Sequence, residues 1–177
     1  MKEVLLDLNM TTPETWKMEK PLSDWEHVKV DKNGNVEELD LSNSGVKMDI
    51  SELGIILGPK LKVLIFQEQA NVKGDISILE KTPNIEVLRA LRSGLSGDIL
   101  VLRKCPKFQL LDCQSTKICG SVAVFKYCPD AKYCRYWGSG ITRPNGCPSG
   151  QSLGCQYADQ YTSKEQMDGL RDWLNKN

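Results

Sequence analysis

The sequence has one histidine, no net charge, no C-x-x-C pair and no long apolar run. Each shortage removes a class of function. A single imidazole, His27, leaves no convergent acid, base and nucleophile for ordinary hydrolytic chemistry. The 177 residues carry 23 basic and 23 acidic side chains, so no global field favours nucleic acid or an anionic membrane. No apolar stretch approaches the roughly 20 residues that cross a bilayer. The start, "MKEVLLDLNM", places acidic residues inside its apolar stretch, which argues against a signal peptide. All seven cysteines lie between Cys105 and Cys155, an odd, one-sided set that reads poorly as a disulfide framework.

What the sequence does have is a phrase written four times. Lys47-Met-Asp-Ile-Ser51, Lys73-Gly-Asp-Ile-Ser77, Ser96-Gly-Asp-Ile-Leu100 and Cys119-Gly-Ser-Val-Ala123 recur at nearly even intervals. Aligned on them, rows begin at Val36, Leu61, Ile85, Phe108 and Ala131, with spacings of 25, 24, 23 and 23 residues. Apolar residues at the fourth and sixth places, such as Leu64 with Phe66 or Leu111 with Cys113, predict a short strand with one buried face. Three apolar plugs follow in each row, as in Val72, Ile76 and Leu79. Pro59, Pro83, Pro106 and Pro129 then end the outer segment. Gly-Asp-Ile therefore marks the corner of a coil, with Gly permitting the turn and Ile entering the core.

This pattern resembles the leucine-rich-repeat family, in the plant-type and related microbial variant with Ser-Gly-x-Ile corners. The period falls in its range, and the resemblance covers about residues 36 to 144. It implies an α/β fold: a right-handed solenoid with a parallel concave sheet of about five strands, one per row. It departs from the family at the ninth place. There an Asn usually bridges backbone groups of adjacent coils, whereas here stand Ser44, Gln69, Ser93, Thr116 and Ser139. Hydroxyls are expected to make a shorter version of the same ladder.

A solenoid exposes its core at both ends unless it is capped. Residues 1–35 are expected to form the amino-terminal cap, residues 36–144 the repeats, and residues 145–177 a loop and a capping helix. Asn33-Gly34 signals a hairpin between Val28, Val30 and the first repeat strand. Thr12-Pro13-Glu14 reads as a helix start, with Val4, Leu5 and Leu8 on one apolar face. Ser163-Lys-Glu-Gln166 fits a capping box ahead of the stripe Met167, Leu170, Trp173 and Leu174. Between repeats and helix, Cys147 and Cys155 are either a bridge in an oxidising compartment or two free thiols.

Recognition is expected on the concave strands, where residues between the buried positions point outward. Val63, Ile65, Val87, Leu91, Leu110, Tyr133 and Trp137 gather there, rimmed by Arg89, Asp112 and Arg135. An apolar patch with a polar rim marks an interface, and Tyr, Trp and Arg dominate binding energy. A cap folded over the patch, or a register slip of one residue, would remove it.

Other chemistries fit less well. Gly150-Gln-Ser152-Leu-Gly154 matches the nucleophile elbow, yet Pro and Gly precede it and no histidine follows. Cys128, Cys134, Cys147 and Cys155 have spacings unlike a zinc knuckle. Cys105, Cys128 and Cys134 read as small apolar plugs. The basic and aromatic stretch near Tyr133 could suit single-stranded nucleic acid, but overall neutrality opposes it. The expectation is a non-catalytic protein-binding module without cofactor or metal. It would be an adaptor or accessory subunit, or else an extracellular or surface domain recognising a peptide or glycan. A glycan at the Asn9-Met-Thr11 sequon would support the latter.

Overall fold

The computed structural model describes residues 17, 19–55, 57–145 and 163–176, apart from the side chains of residues 52, 54 and 55. The helix start at Thr12-Pro13-Glu14, the apolar residues Val4, Leu5 and Leu8, and the Asn9 sequon lie outside them. So do Cys147, Cys155 and the Gly150–Gly154 segment.

In chain order the strands are β1 (Val28–Val30), β2 (Val36–Asp40), β3 (Met48–Asp49), β4 (Val63–Ile65), β5 (Val72–Asp75) and β6 (Val87–Arg89). They continue with β7 (Gly94–Asp98), β8 (Leu110–Asp112), β9 (Lys117–Ser121), β10 (Tyr133–Arg135) and β11 (Gly140–Thr142), before helix α1 (Lys164–Lys176). Each coil contributes one strand to a concave sheet of order β1-β2-β4-β6-β8-β10. Its repeat strands run parallel, and β1 adds antiparallel to β2 as the hairpin signal predicts. The register places Leu39, Leu64, Leu88, Leu111 and Cys134 in one buried column. The register is therefore not slipped, and the expected outward columns lie on the concave side of the sheet, with Asp112 alone among them buried.

A second sheet, of order β11-β9-β7-β5-β3, stands where the sequence reading expects only a bend. Its cause lies in the burial pattern: Val72, Leu95 and Ile118 are buried, the next residue is exposed or half-buried (Lys73, Ser96, Cys119), and Ile76, Ile99 and Val122 are buried again. That is strand periodicity carried by glycine-containing segments. The third side consists of 3-10 turns at Ile50–Ile55, Ile76–Lys81, Ile99–Lys104 and Val122–Tyr127.

The corner phrase joins the second sheet to these turns. Gly74, Gly97 and Gly120 have φ of 114°, 109° and 112°, a region that side chains avoid. A Cβ on Gly97 would also lie 2.5 Å from Oδ1 of Asp75 in the preceding coil. That aspartate is itself a cap: Asp75 accepts from the Ser77 N–H and Asp98 from the Leu100 N–H, both at 2.8 Å. Ser121 accepts from the Ala123 N–H in the next coil. Glycine thus lets each coil sit on the cap of the coil before. Met48 holds the equivalent place in the first coil, where no described coil precedes it.

The ninth-place hydroxyls behave differently from expectation. Ser44, Thr116 and Ser139 donate to the carbonyls of Leu41, Cys113 and Tyr136 at 2.5–2.7 Å. Thr116 and Ser139 also accept from the N–H two residues on, in Ile118 and Ile141. These bonds close each coil's own turn rather than bridging neighbouring coils. The inter-coil ladder here is main chain: Glu68 N–H to Leu91 O, Arg92 N–H to Gln114 O and Ser115 N–H to Trp137 O.

One continuous core fills the coils, from Trp25 and Val28 to Met167 and Leu170. Trp25 donates from Nε1 to the Lys17 carbonyl, and Asp31 closes the hairpin by accepting from the Asn33 and Asn35 N–H groups. At the far end Ser163 and Gln166 form the reciprocal bonds of a capping box. Met167 and Leu170 are fully buried against the last coils, and Arg171 donates to the Ala131 carbonyl.

Candidate functional site

The concave face is built by whatever residues alternate with the buried columns. Reading along the solenoid gives Glu38, Val63, Val87, Leu110 and Tyr133 in one row. A second holds Asp40, Ile65, Arg89, Asp112 and Arg135. Ser42, Gln67, Leu91, Gln114 and Trp137 stand two residues further along each coil.

Val63, Ile65, Val87, Leu91 and Leu110 are half-buried rather than exposed. Strands about 4.8 Å apart let each side chain lean on its neighbours across the curved sheet. The exposed aromatic groups are at the carboxy-terminal strand: Tyr133 is 41% and Trp137 43% accessible, with Arg135 between them. Arg89 is exposed as well. Among the described residues, no other coil places two large aromatic side chains so openly on the concave face.

Asp112 departs most from the expectation of a rim residue. It is 6% accessible, at the base of a shallow depression of about 360 Å³ bordered by Gln67, Arg89, Leu110, Tyr133 and Arg135. Burial raises its carboxyl above the usual carboxylate range, against the lowering effects of the Gln114 N–H, Arg135 and Arg89. The N–H bond is long, 3.5 Å, and the Arg135 guanidinium stands 4.0 Å away. Asp40, in the same row two coils earlier than Arg89, accepts the equivalent N–H of Ser42 at 2.9 Å.

The cysteine plugs are core residues. Cys105, Cys113, Cys128 and Cys134 are buried, and their thiols are all pushed up by burial, Cys105 to about 11 and Cys128 to about 12. Cys119 is exposed on the second sheet, its Sγ 3.5 Å from the Gly97 carbonyl. No cluster of three or more potential metal ligands occurs among the described residues. No helix among them is long and apolar enough to cross a membrane.

One feature lay beyond the sequence reading. On the 3-10 side, Leu100 and Tyr127 are each 48% accessible and border a hollow of about 270 Å³ with Ala123, Val124 and Lys126. A signal existed: Leu100 replaces the serine of Ser51 and Ser77, and Tyr127 replaces the lysine of Lys81 and Lys104.

No family model matches the sequence, and no curated protein does. Solved structures match the fold. The ectodomain of the receptor kinase GASSHO1/SCHENGEN3 from Arabidopsis thaliana, in complex with CASPARIAN STRIP INTEGRITY FACTOR 2, is 20% identical with a TM-score of 0.61. That match covers 81% of this chain and 18% of the ectodomain. A plant ice-binding protein is 21% identical at a TM-score of 0.62, over 79% of this chain and 48% of its own. The BIR2 ectodomain from Arabidopsis thaliana is 16% identical at a TM-score of 0.64, over 80% of this chain and 93% of its own. The chain thus spans under a fifth of the first and about half of the second. It has the leucine-rich-repeat fold.

Proposed function

We propose that this chain is a non-catalytic protein-binding module that engages a polypeptide on its concave face, as an adaptor or accessory subunit of a larger assembly. The observation that carries the reading is the exposed pair Tyr133 and Trp137 flanking Arg135, next to a half-buried apolar strip. Aromatic and arginine side chains beside a desolvated apolar surface are where binding energy concentrates. Val63, Ile65, Val87, Leu91 and Leu110 supply the strip, and Arg89, Asp112 and Arg135 its polar register.

A second reading, recognition of a peptide ligand at a cell surface, has its own support. The depression around Asp112 is the size of a few side chains, not of a flat protein–protein contact. HAESA, with the same fold at 17% identity and a TM-score of 0.61, is described in complex with a peptide hormone ligand. Cross-linking mass spectrometry from Lys132 in lysate of the native source separates the two. A stable set of subunits supports the adaptor, and its absence moves the weight to peptides. The Tyr133→Ala/Trp137→Ala double variant then tests the face itself. Partner affinity should fall by roughly a hundredfold while the unfolding midpoint stays near wild type. Unchanged affinity in the folded double variant would move the interface to the Leu100–Tyr127 side.

A further inference from the structure

Among the concave rows, only one alternates base, acid and base across three adjacent strands. Arg89, Asp112 and Arg135 are in register on β6, β8 and β10, so the two arginines stand about 10 Å apart with the carboxylate between and below them. The carboxylate is nearly enclosed yet poorly satisfied: one N–H at 3.5 Å, and a guanidinium at 4.0 Å that is itself half-exposed. An ionised carboxylate offers about four acceptor sites; Asp112 lines the depression, and among the described residues only the Gln114 N–H donates a hydrogen bond to it. The guanidinium of Arg89 makes no hydrogen bond among the described residues, although its charge is felt by Asp112.

We infer that this row reads an extended peptide, taking a neutral hydrogen-bond donor, a side-chain hydroxyl or carboxamide, on Asp112 and main-chain carbonyls on Arg89 and Arg135. The proposal rests on the concave face being the polypeptide-binding surface and adds what that surface selects. An acidic side chain at the centre meets the buried Asp112 carboxylate. A basic one meets two guanidiniums. A hydroxyl or carboxamide meets neither and supplies the bond that Asp112 lacks. In the polyproline II form of an extended chain, with about 3.1 Å per residue and three residues per turn, carbonyls three residues apart point the same way and span the gap between the arginines. Asp112 is then a specificity residue: its carboxylate offsets one of the two guanidinium charges and sets a like charge where an acidic side chain of the peptide would otherwise dock.

The test is selection of a displayed library of random linear peptides on the full chain. The wild type, Asp112→Asn, Arg89→Gln/Arg135→Gln and Tyr133→Ala/Trp137→Ala are compared, each first shown to unfold cooperatively. Wild type should enrich Ser, Thr, Tyr, Asn or Gln at one fixed position and deplete Asp and Glu there. Asp112→Asn should reverse the depletion, and its affinity for a wild-type-selected peptide should fall by roughly tenfold or more. Arg89→Gln/Arg135→Gln should instead enrich Lys and Arg, which keeps the inference open to refutation should Asp112→Asn fail to fold. Acidic peptides enriched by wild type, or identical preferences in wild type and the Asp112 and arginine variants, would overturn the inference while leaving the concave face as the binding surface. Equal enrichment by wild type and the Tyr133→Ala/Trp137→Ala variant, or none by either, would overturn the reading of that face and the inference with it.

Discussion

At the corner, Gly74, Gly97 and Gly120 recur beside a capping Asp or Ser. The concave row Asp40, Ile65, Arg89, Asp112, Arg135 changes chemistry at nearly every coil. Both regions are parallel sheets with the same spacing, so geometry does not explain the contrast. Contact does. A corner side chain touches the identical corner of the next coil, and a solution that packs once must pack every time. A concave side chain leans on its neighbours over part of its surface and leaves the rest to solvent, so the scaffold does not hold it to its neighbour's identity. Repetition within this chain is therefore a record of packing, and its interruption marks positions on which packing makes no such demand. Leu100 and Tyr127 are the same kind of interruption on the 3-10 side.

The contrast is tested most severely by removing one aromatic ring from each region. Phe108→Ala, in a fully buried repeat position, should cost about 3–5 kcal/mol. Trp137→Ala, on the open concave row, should cost less than about 1 kcal/mol. Urea unfolding of the two variants measures both, and equal losses would mean that Trp137 is scaffold.

Glycine makes the next distinction. Gly97→Ala forces a side chain into φ of 109° and against the Asp75 carboxylate, for a loss of about 3 kcal/mol. Gly138→Asn should stay within about 0.5 kcal/mol of wild type. Its φ is 70°, and Asn43, Glu68, Arg92 and Ser115 already hold the equivalent turns at 54–58°. A loss at Gly138 as large as at Gly97 would deny that the corner is special.

The same logic explains what could be read from the sequence. The rows beginning at Val36, Leu61, Ile85, Phe108 and Ala131 were legible because each buried column repeats, and every plug named from spacing is buried. The outward columns followed by alternation. The second sheet did not, because Gly74, Gly97 and Gly120 sit inside its strands and glycine reads as a turn. The closure of single turns by Ser44, Thr116 and Ser139 depends on side-chain reach, which spacing does not encode. The burial of Asp112 depends on how far the side chains of β6 and β10 lean over it, a property of curvature that no single row contains.

Smaller effects separate two aspartates with opposite roles. Asp98 at a corner accepts the Leu100 N–H at 2.8 Å. Asp98→Ala should cost about 1 kcal/mol by loss of the cap, and Asp98→Asn almost nothing, because Asn caps as well as Asp. Thermal unfolding at neutral pH measures the pair. Matching losses from Ala and Asn would show that charge, not the cap, stabilises the corner.

Asp112 should show the reverse. Its carboxyl is raised above the ordinary value of 3.8, chiefly by burial. A raised folded value means that stability is fully present below 3.8 and is lost as pH climbs through the folded value. At neutral pH the charge on Asp112 therefore weakens the fold. Asp112→Asn should unfold at a higher midpoint than wild type at pH 7, and the gain should shrink to nothing as the pH falls below 3.8. A gain that persists in acid would mean that shape, not charge, is what the substitution relieves. A carboxylate that costs stability between two solvent-exposed arginines is the pattern expected of the proposed binding face, where the energy withheld from folding would be recovered on binding a donor.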